Sequence, residues 1–213
     1  MPIHSGLIRI LHALNAISVI GLISSGWAIF NASPLYPISF PVSLSLGGYL
    51  TEALQWHFLL IWLFVFSSIL FVLSRLLSLT VAPNLWPISI KKIVNETQQV
   101  LTFNLKHYIG EYNHIQRMFY LTAFLLFIVL ILSGLGLWKP VQFQVINYIV
   151  GGYENMRRVH FWAMVSISTF IIVHLSMVIM VPSTLLSMIF SAKKNVQNNK
   201  NLVNDTKNIN NDL

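Results

Sequence analysis

Residues 157–178, RRVHFWAMVSISTFIIVHLSMV, set two histidines inside a run apolar enough to cross a membrane. An imidazole in lipid is costly, so an ionisable residue within a transmembrane segment points first to function. His160 and His174 are fourteen residues apart. At 1.5 Å per residue that is roughly 21 Å of helix, and at 100° per residue it falls about 40° short of four full turns. Both rings therefore lie near one stripe of the helix, one towards each membrane face.

The rest of the chain is of the same character. Of its 213 residues, 55% are hydrophobic and 9% charged, where soluble domains carry about 25% charged residues. This is an integral membrane protein, and its length suits one compact domain. It has no cysteine, which excludes disulfides, thiolate-ligated zinc, iron–sulfur clusters and covalently attached haem c. The net charge of +7 raises the question of nucleic acid. The cations flank apolar segments, however, which is a topology signal, and no nucleic-acid partner is expected. The first apolar run is long enough to span and lacks a small-x-small cleavage site, so no cleaved signal peptide is expected.

Four runs are long enough to cross a bilayer, which takes about 20 helical residues: 6–30, 53–79, 114–138 and 159–190. The fold class expected is all-α, an integral membrane four-helix bundle over residues 1–190. The last run exceeds a bilayer thickness, and Pro182 within it marks a kink or the interface. Residues 191–213 are polar and Asn/Lys-rich and are expected to be disordered.

Orientation follows from Lys and Arg. The segment between the second and third runs, with the helix ends, holds Arg75, Lys91, Lys92, Lys106 and Arg117, and the tail holds Lys193, Lys194, Lys200 and Lys207. The first loop has no Lys or Arg. The bias puts both termini and the middle loop in the cytoplasm, with Lys139, Arg157 and Arg158 around the third loop as the dissenting cations.

With that orientation, His12 on the first helix lies near the inner face and His57 on the second near the outer face. On the fourth, His160 lies outside and His174 inside. The four sort into two pairs at two depths, His57 with His160 and His12 with His174. That arrangement suits two planar cofactors, each held between imidazoles from two helices. Haem iron accepts axial histidine, and its surroundings tune its potential.

A lone histidine near a helix end is ordinarily an interfacial or hydrogen-bonded residue, and His4, His107 and His114 are read that way. The matched depths of the other four favour two non-covalent b-type haems. Zinc needs four tetrahedral ligands close together, whereas these histidines pair at separate levels and the apolar spans contain no Asp or Glu. Paired carboxylates or a nucleophile beside a base, the marks of acid–base or covalent catalysis, are missing from the membrane segments. Arg9, Arg157, Arg158 and Lys139 stand near the histidine levels and could pair with haem propionates; snorkelling interfacial cations would look the same. Gly21, Gly26, Gly134 and Gly136 read as helix-packing residues.

The fragments RILHALNAISVIGLISSGW, ALQWHF, YNHIQRMFYL, LSGLGLWKP and GGYENMRRVHFWAM, followed by FIIVHLSMV, resemble the bacterial di-haem cytochrome b membrane subunits. These are the cytochrome b subunits of nickel–iron hydrogenases, respiratory formate dehydrogenases and thiosulfate reductases. The most similar branch accompanies molybdopterin-dependent oxidoreductases of the sulfite-oxidase type. The likeness runs from about residue 4 to residue 190.

It implies four helices, two b haems on the two histidine pairs, and electron transfer between quinone and an extracytoplasmic molybdopterin-type oxidoreductase in the inner membrane. It also implies a quinone site beside the inner haem, with its Asn at Asn113. Here His114 stands where the family often has Pro or a small residue, and Ile115 where it has Gly. The chain is thus expected to be an electron-transfer subunit and not the catalytic one. The competing readings are a haem-free membrane scaffold or transporter, which would have no visible absorbance, and a haem protein working alone.

Overall fold

The computed structural model describes residues 6–77 and 114–180. They form five α-helices: α1 (Gly6–Ala32), α2 (Leu50–Leu77), α3 (His114–Trp138), α4 (Gln144–Val150) and α5 (Tyr153–Met180), with a 3-10 turn at Val42–Leu44. Four of these, α1, α2, α3 and α5, are long and apolar enough to cross a membrane. Among the described residues there is no strand. The expected pieces at 78–79, 181–190 and 191–213, with Pro182 and Asn113, lie outside the described residues.

Two helices begin earlier than hydropathy suggests. α5 starts at Tyr153, not 159, because its polar opening YENMRR is helical although not lipophilic. Gly151 and Gly152 turn the chain into it with φ of 89° and 102°, a region open to glycine. α2 starts at Leu50, not 53, where the Glu52 carboxylate accepts the Gly48 N–H at 3.2 Å. Hydropathy reads the lipid-embedded length of a helix and is blind to its polar ends. The seven-residue α4 is too short for such a reading to find.

α1 packs along α2, and α3 along α5. The bundle thus consists of two antiparallel hairpins, with the connections at 33–49 and 139–152 at one end. This is called the loop end below, and the opposite end the terminal end. Large apolar side chains face outwards along the helices, among them Leu59, Trp62 and Phe66 of α2 and Phe124 and Leu125 of α3. An apolar exterior of that extent belongs in lipid. The interior mixes large apolar residues such as Leu11, Phe64, Met156 and Ile167 with small ones: Ser18, Ser25, Ala53, Ser67, Ser133 and Ala163 are all buried, and the small ones let helix backbones approach. At Gly21 a Cβ would stand 2.6 Å from Leu60 Cδ1, so α1 and α2 are in close contact there.

The first loop folds back onto the bundle. Asn31 brackets Phe40, its Nδ2 donating to the Phe40 carbonyl and its Oδ1 accepting the Phe40 N–H, both at 2.9 Å. Phe40 then stacks on Trp27 with ring centres 4.9 Å apart, and Phe30 on Phe161 at 4.9 Å. Gly47 has φ 90° and a Cβ there would lie 2.5 Å from the Ala53 nitrogen, so only glycine fits. Loop, α1 and α5 are tied together at this end.

Candidate functional site

His57 lies on α2 and His160 on α5, seven residues from the loop-end start of each helix. They are within electrostatic reach of one another. Each ring nitrogen Nδ1 meets a serine of the other helix in its hairpin. Ser25 Oγ of α1 is 2.9 Å from His57 Nδ1, and Ser133 Oγ of α3 is 2.8 Å from His160 Nδ1. The nearest neighbours of a Cβ added at Gly26 or Gly134 would be histidine Cε1 atoms, His57 at 3.8 Å and His160 at 3.5 Å. Those glycines therefore do more than pack helices: they keep the space beside each imidazole clear. All four spanning helices contribute to this level.

At the terminal end His12 of α1 faces His174 of α5, ring centres 6.4 Å apart and planes 69° to each other. Phe170 stacks against His174 at 5.9 Å, with Phe119 of α3 behind it at 6.1 Å. Neither His12 nor His174 makes a hydrogen bond with a described residue. Two metal–imidazole bonds of about 2 Å each, plus about 1 Å from each nitrogen to its ring centre, span about 6 Å. The observed separation of 6.4 Å is compatible with two rings on either side of one metal. Among the described residues no three His, Cys, Asp or Glu side chains converge as a cage of protein ligands would require. Paired imidazoles fit a planar macrocycle that supplies its own equatorial donors.

The cations divide. Arg9, one turn from His12, has a buried Nε with no hydrogen-bond partner among the described residues, a donor suited to a carboxylate. Arg157 is already engaged: it donates to both Glu154 oxygens at 3.2 Å, to the Ser33 carbonyl, and to Ser33 Oγ at 3.1 Å. Arg158 donates to Asn155 Oδ1 at 2.8 Å. Lys139 Nζ sits 5.1 Å from the centre of the Trp138 ring. Asn113 and the His114 side chain lie outside what is described. The residues that reading the sequence misses are Ser25 and Ser133. The one trace of them is a Ser-Gly dipeptide in each ascending helix, SSGW in α1 and LSGL in α3.

A family model described as prokaryotic cytochrome b561 matches residues 3–191. Among curated proteins, the putative protein-methionine-sulfoxide reductase subunit YedZ1 of Azospira oryzae is 40% identical over 188 residues, which cover 88% of this chain and 95% of that protein. No solved structure matches the chain.

Proposed function

The chain belongs to the prokaryotic cytochrome b561 family of multi-pass inner-membrane proteins that bind haem b, and on that premise we propose that it is a di-haem electron conduit. One haem would be held by His57 and His160 at the loop end, the other by His12 and His174 at the terminal end. The observation that carries this reading is the sorting of four intramembrane histidines into two interhelical pairs, one of them at a separation compatible with two axial ligands. Haem iron, when bound, supplies reversible one-electron redox chemistry.

The protein's own residues supply position and surroundings. α5 carries one histidine of each pair, so a single rigid helix fixes the two levels roughly 21 Å apart along its axis. Between them Phe64 of α2 and Phe127 of α3 meet at 5.0 Å and fill the interior with apolar rings, which exclude water from the path. Arg9 offers its unpartnered Nε to a carboxylate of the terminal-end group. Arg157 and Arg158 lie at the loop-end level, where their guanidiniums would lend positive charge without leaving their present partners, and Lys139 adds a third cation there.

The charge bias of Lys91, Lys92, Lys106 and the tail lysines supports a cytoplasmic terminal end and an extracytoplasmic loop end. Electrons would enter from quinol near the terminal end, with Asn113 in its site, and leave through the loop end to a molybdopterin-type oxidoreductase. The Azospira oryzae relative is named as a subunit of a methionine-sulfoxide reductase. By that likeness the partner here reduces a sulfoxide: two electrons and two protons convert it to a thioether and water. Flow outward from quinol follows. Residues 1–190 form the conduit and 191–213 a tail without part in it.

Pyridine haemochrome analysis of the purified protein, beside His57→Ala and His174→Ala, tests the reading. Two haems b per chain and one in each variant are expected. Well-folded protein with no haem would overturn it in favour of a scaffold or transporter. A haem-loaded protein that quinol cannot reduce would leave it a haem protein working alone.

A further inference from the structure

The two hairpins repeat one device. In each, the ascending helix carries Ser-Gly and the descending helix carries the histidine that the serine meets: Ser25 with His57, Ser133 with His160. The direction of these hydrogen bonds is fixed by the serines' other contacts. Ser25 Oγ lies 2.8 Å from the Gly21 carbonyl and 3.2 Å from that of Leu22. Ser133 Oγ lies 2.6 Å from the Val129 carbonyl and 3.2 Å from that of Leu130. A carbonyl only accepts, and a hydroxyl has one proton to give. If the hydroxyl donated to Nδ1, its oxygen would face a carbonyl oxygen at 2.6–2.8 Å with no hydrogen between them in an apolar interior, a repulsion that nothing nearby relieves. With the hydroxyl donating to the carbonyl, the serine lone pair faces Nδ1, which must then carry a hydrogen. Nε2 is left as the unprotonated donor on both rings.

We propose that Ser25 and Ser133 are positioning residues that fix the Nδ1–H tautomer and the ring orientation of His57 and His160, so that the loop end presents two preset Nε2 donors to one haem. This rests on the di-haem reading above. A second-sphere acceptor on Nδ1–H raises the basicity of a ligating imidazole and commonly governs metal affinity by 10- to 100-fold. A more basic ligand favours the oxidised iron. The serines therefore hold the loop-end haem at a lower potential than unassisted imidazoles would. Among the described residues the terminal-end pair has no such support, and the proposal concerns the loop-end level.

The test is a redox titration of the full-length protein in detergent, comparing wild type with Ser25→Ala, Ser133→Ala and the double variant. Each single change is expected to raise the midpoint of the haem that His57→Ala removes. It should also weaken retention of that haem about 10-fold. The double change should raise the midpoint further, the other haem should keep its potential, and Ser→Thr at either position should restore wild-type behaviour. If an Ala variant purifies without either haem, the Thr and Val variants at that position make the same comparison, since they match in shape and differ in the hydroxyl. Both haems shifting together would overturn the proposal, because that is general loosening. Two haems unchanged in every variant would overturn it while leaving the di-haem reading intact. A wild-type protein without haem would remove both.

Discussion

At the loop end each imidazole is held by a serine from its neighbouring helix, and the level draws on α1, α2, α3 and α5 together. At the terminal end two rings face each other across α1 and α5, supported by stacking and by no hydrogen bond among the described residues. On the proposed di-haem reading, the difference is one between two ways to prepare a pair of axial donors in lipid. One fixes the ring nitrogens in advance with neutral hydroxyls, which themselves stay satisfied by helix carbonyls. The other sets the separation of the rings and braces His174 with the Phe170 ring, with no hydrogen bond to either imidazole among the described residues. A prepared site binds tightly but tolerates little change in its walls; a looser one depends chiefly on its two helices keeping their register.

The largest test of that contrast is Gly134→Leu. The first added carbon would already stand 3.5 Å from His160 Cε1 and 3.9 Å from its Nδ1, and the remaining carbons would press on that ring. Loss of the loop-end haem with full retention of the terminal-end haem is expected, read by haemochrome content and by the one remaining redox wave. Loss of both would show that the two levels do not form independently.

Next comes Gly47→Ala, which leaves both histidine levels untouched in sequence. A non-glycine residue in the left-handed region costs about 1–2 kcal/mol, and here its Cβ also meets the Ala53 backbone at 2.5 Å. A stability loss of about 2 kcal/mol or more is expected in denaturant titrations, with the loop-end haem the first to be released. Release of the terminal-end haem first would contradict the view that the first loop braces the Ser25–His57 hairpin.

A smaller effect sharpens the terminal end. Asn15, one turn beyond His12 on α1, accepts from Ser68 Oγ of α2 at 2.9 Å, and its Oδ1 lies 2.7 Å from Ser67 Oγ, which shares its one proton with the Leu63 carbonyl at 2.7 Å. A double-mutant cycle of Asn15→Ala with Ser68→Ala should give a coupling of about 0.6 kcal/mol, the usual scale for such bonds between membrane helices. The terminal-end haem should loosen before the loop-end one, since Asn15 fixes α1 near His12. No coupling would mean that the register of α1 is set by packing at Gly21 and Leu60 alone.

The four spans and the depths of His12, His57, His160 and His174 are legible in the sequence because both follow from one-dimensional rules, hydropathy over a bilayer length and a fixed rise per residue. The bundle of four apolar helices follows those rules. The serines do not. A serine in a membrane helix ordinarily bonds the carbonyl one turn back, as Ser18 does at 2.8 Å, and Ser25 and Ser133 do this as well. Their second contact, to a histidine 32 or 27 positions away, depends on how two helices are rotated against each other, which hydropathy does not encode. The same holds for Gly26 and Gly134, whose neighbours are set by that rotation. Arg157 looks from its position like a free interfacial cation, yet the turn into α5 brings it to Ser33 at the end of α1.

That contact frames the smallest effect. Arg157 joins two features of unequal weight: an ion pair to Glu154 three residues before it, whose carboxylate side chain is 61% exposed, and hydrogen bonds to Ser33 that cross from α5 to α1. An exposed pair on one helix surface contributes about 0.2–1 kcal/mol, screened further by salt. It also joins residues that the helix already holds together, so it orders nothing else. The Ser33 bonds close the gap between the two helices that carry His160 and Ser25. Glu154→Gln should therefore change stability by about 0.5 kcal/mol or less and leave the loop-end midpoint where it is, while Arg157→Ala should loosen the loop-end haem visibly. If Glu154→Gln proved the more damaging, the carboxylate would be holding the guanidinium in place for Ser33. The loop end would then owe part of its rigidity to charge and not to the neutral hydroxyls alone.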